Sequence, residues 1–177
     1  MNLIKFLRKL KKYLIRYEPC VEILISKTKL LENLKEYQKN YPKILFAPVL
    51  KSNAYGHGLV YIAQILDKEQ IAFFVLDSLY EAMVLRNEGI HKSEILIIGY
   101  TKSENIRNSN LPRVAFTIAS MKQLLEISKI ISSKIKIHLK IDTGMHRQGI
   151  LMEDIENAIK IIKTNKCIIF NKQFIPC

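Results

Sequence analysis

Apolar and polar positions along this chain switch repeatedly between two periods, and the switching predicts alternating strands and helices. Residues 21–25 form a short apolar run of strand character. Over 28–39, Leu30, Leu31 and Leu34 fall on one side of a 3.6-residue spiral, which predicts a helix. Strand-like runs follow at 44–50, 72–76, 95–98, 114–118, 136–141 and 167–170, and helical runs at 59–66, 79–87, 121–131 and 153–162. Gly89 closes the 79–87 helix as a favoured C-terminal stop. The stretch after residue 98, up to Pro112, reads as a polar loop.

Near-continuous apolar strands separated by helices imply a parallel sheet covered by helices. Counted from Ile44 there are about six strands, whereas a closed (β/α)8 barrel needs eight. The expected fold is therefore α/β, an incomplete TIM-type barrel. A doubly wound open sheet is the alternative, but no Gly-x-Gly-x-x-Gly turn follows any strand.

A length of 177 residues suits one domain with a real core but is short for a barrel of ~250 residues. The net charge of +12 raises the question of nucleic acid. Lys5, Arg8, Lys9, Lys11, Lys12 and Arg16 all precede the first acid, Glu18, so half of the imbalance lies in residues 1–17. The remaining basic residues are scattered among acids without aromatic interleaving, so no nucleic-acid partner is expected. Residues 1–17, with Leu3, Leu7, Leu10 and Leu14 at helical spacing, form a basic amphipathic leader, and residues 18–177 form the folded body. Such a leader suits an anionic membrane surface, a transit-like extension or a helix packed on the body, but an extension without function is the leading reading. It has no small-residue cleavage site, and no run in the chain is long and apolar enough to span a bilayer. Cys20, Cys167 and Cys177 have no metal-ligand spacing and read as reduced thiols of a cytoplasmic protein, with no metal expected.

Two runs carry chemistry. The first is Ala47-Pro48-Val49-Leu50-Lys51-Ser52-Asn53-Ala54-Tyr55-Gly56-His57-Gly58. It sets one lysine at the end of an apolar strand, before a glycine-flanked loop, where barrel enzymes present reactive groups. Apolar shelter disfavours the ammonium form, and an uncharged amine can condense with a carbonyl. A lone lysine ending a strand is more often merely solvated. The second run spans 136–149, where Ile137, Leu139 and Ile141 share one face and His138, Lys140 and Asp142 the other. Ionisable residues pointing into a barrel are costly unless paired or near its open end, so this polar face is expected to approach the ligand-bearing mouth, with the Gly144 turn aiming Arg147 at it. Taken alone, a polar-faced strand is more often an exposed edge.

The first run resembles the pyridoxal-phosphate-binding signature of alanine racemases, and Lys140-Ile141-Asp142-Thr143-Gly144-Met145-His146-Arg147 resembles that family's second signature. Weaker similarity connects them, through Asp77-Ser78-Leu79-Tyr80-Glu81-Ala82, Leu85-Arg86-Asn87-Glu88-Gly89-Ile90 and Ile95-Leu96-Ile97-Ile98-Gly99-Tyr100-Thr101. It runs co-linearly from about Glu18 to Ile162 and fades after about Lys166. The resemblance implies that Lys51 carries pyridoxal 5'-phosphate as an internal aldimine and serves one face of the substrate as acid or base. It implies further that Tyr55 contacts the cofactor's phosphate, and that Arg147 touches its phenolic oxygen. Lys140 corresponds to a lysine often carbamylated in the family, whose carbamate Arg147 orients. His57 has a supporting, loop-shaping role, and Asn53 is suited to holding the loop by side-chain-to-backbone bonds. His146 and Gln148 stand where the family commonly has glycine and leucine.

The implied activity is interconversion of l- and d-alanine, supplying d-alanine for peptidoglycan. Family members are homodimers in which a tyrosine from the partner's C-terminal domain serves the second face of the substrate. The family's arginine at the pyridine nitrogen and histidine on the ring also fall past Cys177. The expectation is thus a truncated chain, inactive or nearly so alone and unstable unless another polypeptide completes it. The alternatives are a non-catalytic pyridoxal-phosphate-binding remnant and a membrane-surface or interaction protein acting through residues 1–17.

Overall fold

The computed structural model describes residues 20–170, so the leader at 1–17 and the C-terminal Phe174-Ile175-Pro176-Cys177 lie outside the described residues. Five parallel strands form one sheet: β1 (Phe73–Leu76), β2 (Glu94–Ile97), β3 (Val114–Ile118), β4 (Ile135–Leu139) and β5 (Ile168–Phe170). Their spatial order repeats their chain order, β1-β2-β3-β4-β5, and every pair is parallel. A doubly wound sheet reverses direction from a central strand, whereas an unreversed order wraps steadily around an axis with its helices on one face. That order rules for the barrel-type sheet, left open.

The helices are α1 (Lys27–Asn40), α2 (Lys51–Tyr55), α3 (Leu59–Leu66), α4 (Leu79–Asn87), α5 (Ser103–Asn108), α6 (Met121–Ile130) and α7 (Ile155–Thr164). Ser26, Ser78 and Ser120 cap α1, α4 and α6, each hydroxyl accepting from the third backbone N–H of its helix. The main core lies between helices and sheet, where Phe74, Leu76, Ile95, Ile97, Phe116, Ile118 and Ile137 meet Leu85, Ile106, Leu124 and Ile127. Burying each such side chain contributes roughly 1.5–3 kcal/mol.

A second, smaller cluster covers the opposite face of the sheet: Phe73, Val75, Leu96 and Ala115, with Ala47, Ala72 and Ile98 against it. Strand alternation puts His138 on this face too, and its ring lies edge-on to Phe73 at 5.8 Å between centroids. Their strands are three spacings apart, ~14 Å along a flat sheet. Contact across that distance requires a curved sheet with this face concave. Lys136 and Glu94, likewise on the concave side, pair at 2.7 Å across β3, where Ala115 leaves room. The ionisable residues of β4 thus point inward, and they are partnered there.

Three expectations are corrected. Residues 21–25 form no strand: Val21, Ile23 and Leu24 are exposed, and among the described residues their backbone has no pairing partner. The run at 44–50 keeps only a bridge between Val49 and Val75, so the sheet has five regular strands and not about six. It still follows β1, because Ala72 N–H donates to Phe46 O, Val75 N–H to Pro48 O and Leu50 N–H to Val75 O. Pro48 has no N–H to give, which interrupts a regular ladder. The loop before Pro112 contains a helix, α5, whose Ile106 and Ser103 are buried.

Candidate active site at the carboxyl end of the sheet

All strands being parallel, the loops that follow them open at one end. Lys51 stands directly after Leu50, whose backbone is tied to Val75, so the amine belongs to this end. The lysine is half-buried. Residues Ser52, Asn53, Ala54 and Tyr55 then run consecutively at φ between 52° and 57°, a left-handed turn that Gly56 ends at φ 88°. Each non-glycine residue in that region costs roughly 1–2 kcal/mol, so the turn is expensive and has to be held from outside.

The holding bonds are visible. Ala54 N–H donates to Leu50 O, Gly56 N–H to Ser52 O and Gly58 N–H to Asn53 O. The Asn53 side-chain oxygen accepts the Leu59 N–H at 2.8 Å, fastening the turn to the start of α3. His57 Nδ1 lies 2.8 Å from Ala54 O, which gives this exposed histidine a loop-shaping contact. Tyr55 is exposed, and its phenol is open to a ligand.

Sequence reading missed Glu81. On the first turn of α4 it completes a capping box with Ser78. Its Oε2 accepts the N–H groups of Asp77 and Ser78, and its Oε1 accepts the Asn53 N–H at 3.3 Å. One carboxylate therefore joins the end of β1 to the turn after Lys51. The Ser-x-x-Glu spacing in Ser78–Glu81 announces the cap. Nothing local announces the bond to a residue so far back in the chain.

Lys140 and Arg147 arrive from β4. Lys140 is half-buried, with its N–H on Ile118 O, and its carbonyl accepts the Ile150 N–H, closing a tight loop over 141–149. Gly149 donates to Ala119 O, which docks this loop on the end of β3. A Cβ at Gly149 would lie 2.3 Å from Asp142 N, so only glycine fits. Asp142 Oδ1 accepts the N–H groups of Gly144 and His146, and these bonds hold its carboxyl below the usual carboxylate range. His146, at φ 53°, occupies a left-handed position for which glycine is better suited, and its Nδ1 stands 3.7 Å from Asp142 Oδ2. Arg147 follows it on the exposed rim.

Lys51, Tyr55, Lys140 and Arg147 thus share the carboxyl end, on loops from the two sides of the sheet. Among the described residues no hydrogen bond or ion pair joins the first two to the last two. Beside the 141–149 loop lies a cavity of about 150 Å³, lined by Ile98, Tyr100, Thr117, Ser120, Gln123 and Gln148. Thr117 Oγ1, buried on the concave face, has no hydrogen-bond partner among the described residues. A larger hollow, about 260 Å³, lies between α1 and α3 around Leu31 and Tyr61, away from these loops. No cluster of metal-ligating side chains occurs among the described residues, and none of their helices is long and apolar enough to cross a membrane.

Residues 25–174 match the family model "Alanine racemase, N-terminal domain". An alanine racemase of Staphylococcus carnosus is 36% identical over 149 residues, covering 80% of this chain and 38% of that protein. In structure, an alanine racemase from E. faecalis matches with a TM-score of 0.75 at 26% identity, over 82% of this chain and 41% of the other. A histidine racemase from Leuconostoc mesenteroides matches with a TM-score of 0.74 at 25% identity, over 82% and 40%. The chain accordingly spans about two fifths of the length of these relatives. The family match covers the sheet, the lysine-bearing turn and the β4 loop together, and by it this chain belongs to the alanine racemase family through that family's N-terminal domain.

Proposed function

We propose that the chain provides the cofactor-bearing half of an alanine racemase, with Lys51 as the residue that holds pyridoxal 5'-phosphate. The observation that carries this reading is the amine of Lys51 at the carboxyl end of a concave parallel sheet, leading into a strained turn tied down by Asn53 and Glu81. Proteins seldom keep four consecutive left-handed non-glycine residues unless the conformation is useful.

The side chains available suit the group. An aldehyde bearing an anion calls for a primary amine and for donors to the anion. Lys51 supplies the first; the exposed Tyr55 hydroxyl and the Arg147 guanidinium supply the second. The unpartnered Thr117 hydroxyl and the neighbouring cavity leave room and one further polar contact. When bound, pyridoxal phosphate supplies an electron sink for the charge left as an α-proton departs. Tyr55 would bind the phosphate and Arg147 the phenolic oxygen. A carbamate on Lys140, which opens the loop carrying Arg147, would give that guanidinium an anionic partner.

Lys51 Nζ takes or returns a proton on one face of the substrate. Inversion at the α-carbon needs a second proton-handling group on the opposite face. On the family pattern that group comes from the C-terminal domain of the homodimer partner. Residues 18–177 then act as the barrel part, and the chain alone binds the cofactor without racemising alanine at ordinary turnover. Alanine, rather than a bulkier amino acid, is favoured by the name alanine racemase that several sequence relatives carry, while another, from Enterococcus faecalis, is an amino-acid racemase.

Two measurements test this. Incubation with pyridoxal phosphate followed by borohydride should leave a stable label on Lys51, with an absorbance near ~420 nm before reduction that Lys51→Ala abolishes. A folded chain unlabelled at Lys51 defeats the reading. Formation of d-alanine from l-alanine at ordinary turnover by the chain alone defeats the half-site assignment.

A further inference from the structure

We propose that Glu81 is a positioning residue for the Lys51 amine: its carboxylate sets the turn after Lys51 against the end of β1. This rests on the reading of Lys51 as the cofactor lysine. Three backbone N–H groups converge on this one carboxylate, two from the β1–α4 junction and one from Asn53. The junction is rigid, because β1 is fully buried and α4 packs Ala82 and Leu85 into the core beside it. The turn is not rigid by itself, being left-handed at every position from Ser52 to Tyr55. On its far side Asn53 holds Leu59, so the turn is stretched between Glu81 and α3. Lys51 sits at the root of that span. Releasing the Glu81 end frees the residues that follow the lysine while leaving the sheet below untouched.

Glutamine at 81 discriminates between positioning and mere capping. It has one acceptor oxygen and one amide, so it cannot accept on both sides; whichever side receives the amide sets donor against donor. Ser78→Ala is the control, since it removes the hydroxyl cap of the same helix and leaves the Glu81–Asn53 bond in place. The experiment compares the full wild-type chain with E81Q and S78A for the rate of pyridoxal-phosphate attachment at Lys51, trapped by borohydride and quantified by peptide mass. The exposed lysines, such as Lys29, serve as internal references. Amide exchange at Ala54 and Gly56 is followed in parallel without cofactor.

The expected result is a roughly tenfold slower labelling of Lys51 in E81Q, with matching acceleration of exchange at Ala54 and Gly56, as for loss of one hydrogen bond to a charged group. Reference lysines should be unchanged, and S78A should label Lys51 at the wild-type rate. Where E81Q does not fold, Glu81→Asp makes the same decision, its shorter side chain keeping the helix start but withdrawing from Asn53. Wild-type labelling rates in the Glu81 variants, or equal slowing in S78A, overturn the proposal. Absence of label in the wild type overturns the cofactor reading of Lys51 and the positioning role with it; exchange rates then still report whether Glu81 clamps the turn.

Discussion

Arg86 gives the sharpest separation of stability from chemistry in this fold. Its guanidinium is buried, and burial pushes it below its ordinary value; nearby Asp67 opposes that effect and Arg113 adds to it. Four backbone carbonyls surround it: Ile90 O at 2.6 Å, Ser93 O at 3.0 Å, Pro112 O at 3.1 Å and Arg113 O at 3.2 Å. These residues lead into β2 and β3, so the side chain ties together the amino-terminal end of the sheet, opposite Lys51. Arg86→Met fills similar volume but leaves the carbonyls of Ile90 and Ser93, both in buried bonds, without a donor. At ~1–3 kcal/mol for each unsatisfied buried group, the gross loss is about 4 kcal/mol. Relief of the buried charge returns part of it, leaving a net cost on the order of 3 kcal/mol. With a urea slope near ~2 kcal/mol per molar, the unfolding midpoint should fall by ~1.5 M. Labelling of Lys51 per folded molecule should stay at the wild-type level, because the amino-terminal end of such a sheet serves stability and the carboxyl end chemistry. A midpoint moved by less than ~0.3 M at unchanged slope would refute the stability estimate, given that slope. Loss of labelling in the folded fraction would refute the division of labour.

Other outcomes follow from the loop after β4. Gly149→Ala should cost roughly 2–4 kcal/mol in urea unfolding, since its Cβ would meet Asp142 backbone at 2.3 Å. Gly56→Ala, with open space around it and φ 88°, should cost only about 1 kcal/mol; equal costs for the two would show that the close approach is not what demands glycine. Asp142 titrates lower when folded than unfolded, so the folded state binds fewer protons and its contribution is present above the unfolded value of ~3.9 and lost as pH falls through the folded one. The gap in thermal midpoint between wild type and Asp142→Asn should therefore hold steady from pH 6 down to about pH 4 and narrow only as the pH falls further; a gap that does not narrow below ~3.9 would show that the carboxylate is not stabilised by the Gly144 and His146 amides.

Elements with a continuous apolar run or with punctuating residues at their ends were legible from pattern alone. Residues 79–87 and 114–118 match α4 and β3 to the residue, because Ser78 and Gly89 punctuate the helix and Val114 to Ile118 is buried throughout. Failures came where pairing partners decide. Val21, Ile23 and Leu24 have strand composition, yet no neighbouring strand offers them a ladder. Ser103–Asn108 has no apolar periodicity, and it is a helix because Ile106 is buried in the core and the Ser103 hydroxyl donates to Glu126 of α6. Lys51, Tyr55, Lys140 and Arg147 were singled out as candidates through signature residues, and the structure sets all four at the carboxyl end of the sheet. Glu81 escaped notice because its bond to Asn53 joins positions far apart in the chain.

What the sequence determined by itself was the alternation of β and α units, the inward polar face that carries His138, and the single lysine before a glycine-flanked loop. Those are local properties, set by side-chain period and turn chemistry. Only the tertiary structure decided the unreversed strand order, the curvature that brings Phe73 to His138, and the left-handed path from Ser52 to Tyr55. Each of these depends on contacts between distant segments, and a conformation costly to every residue in it persists only where such contacts hold it.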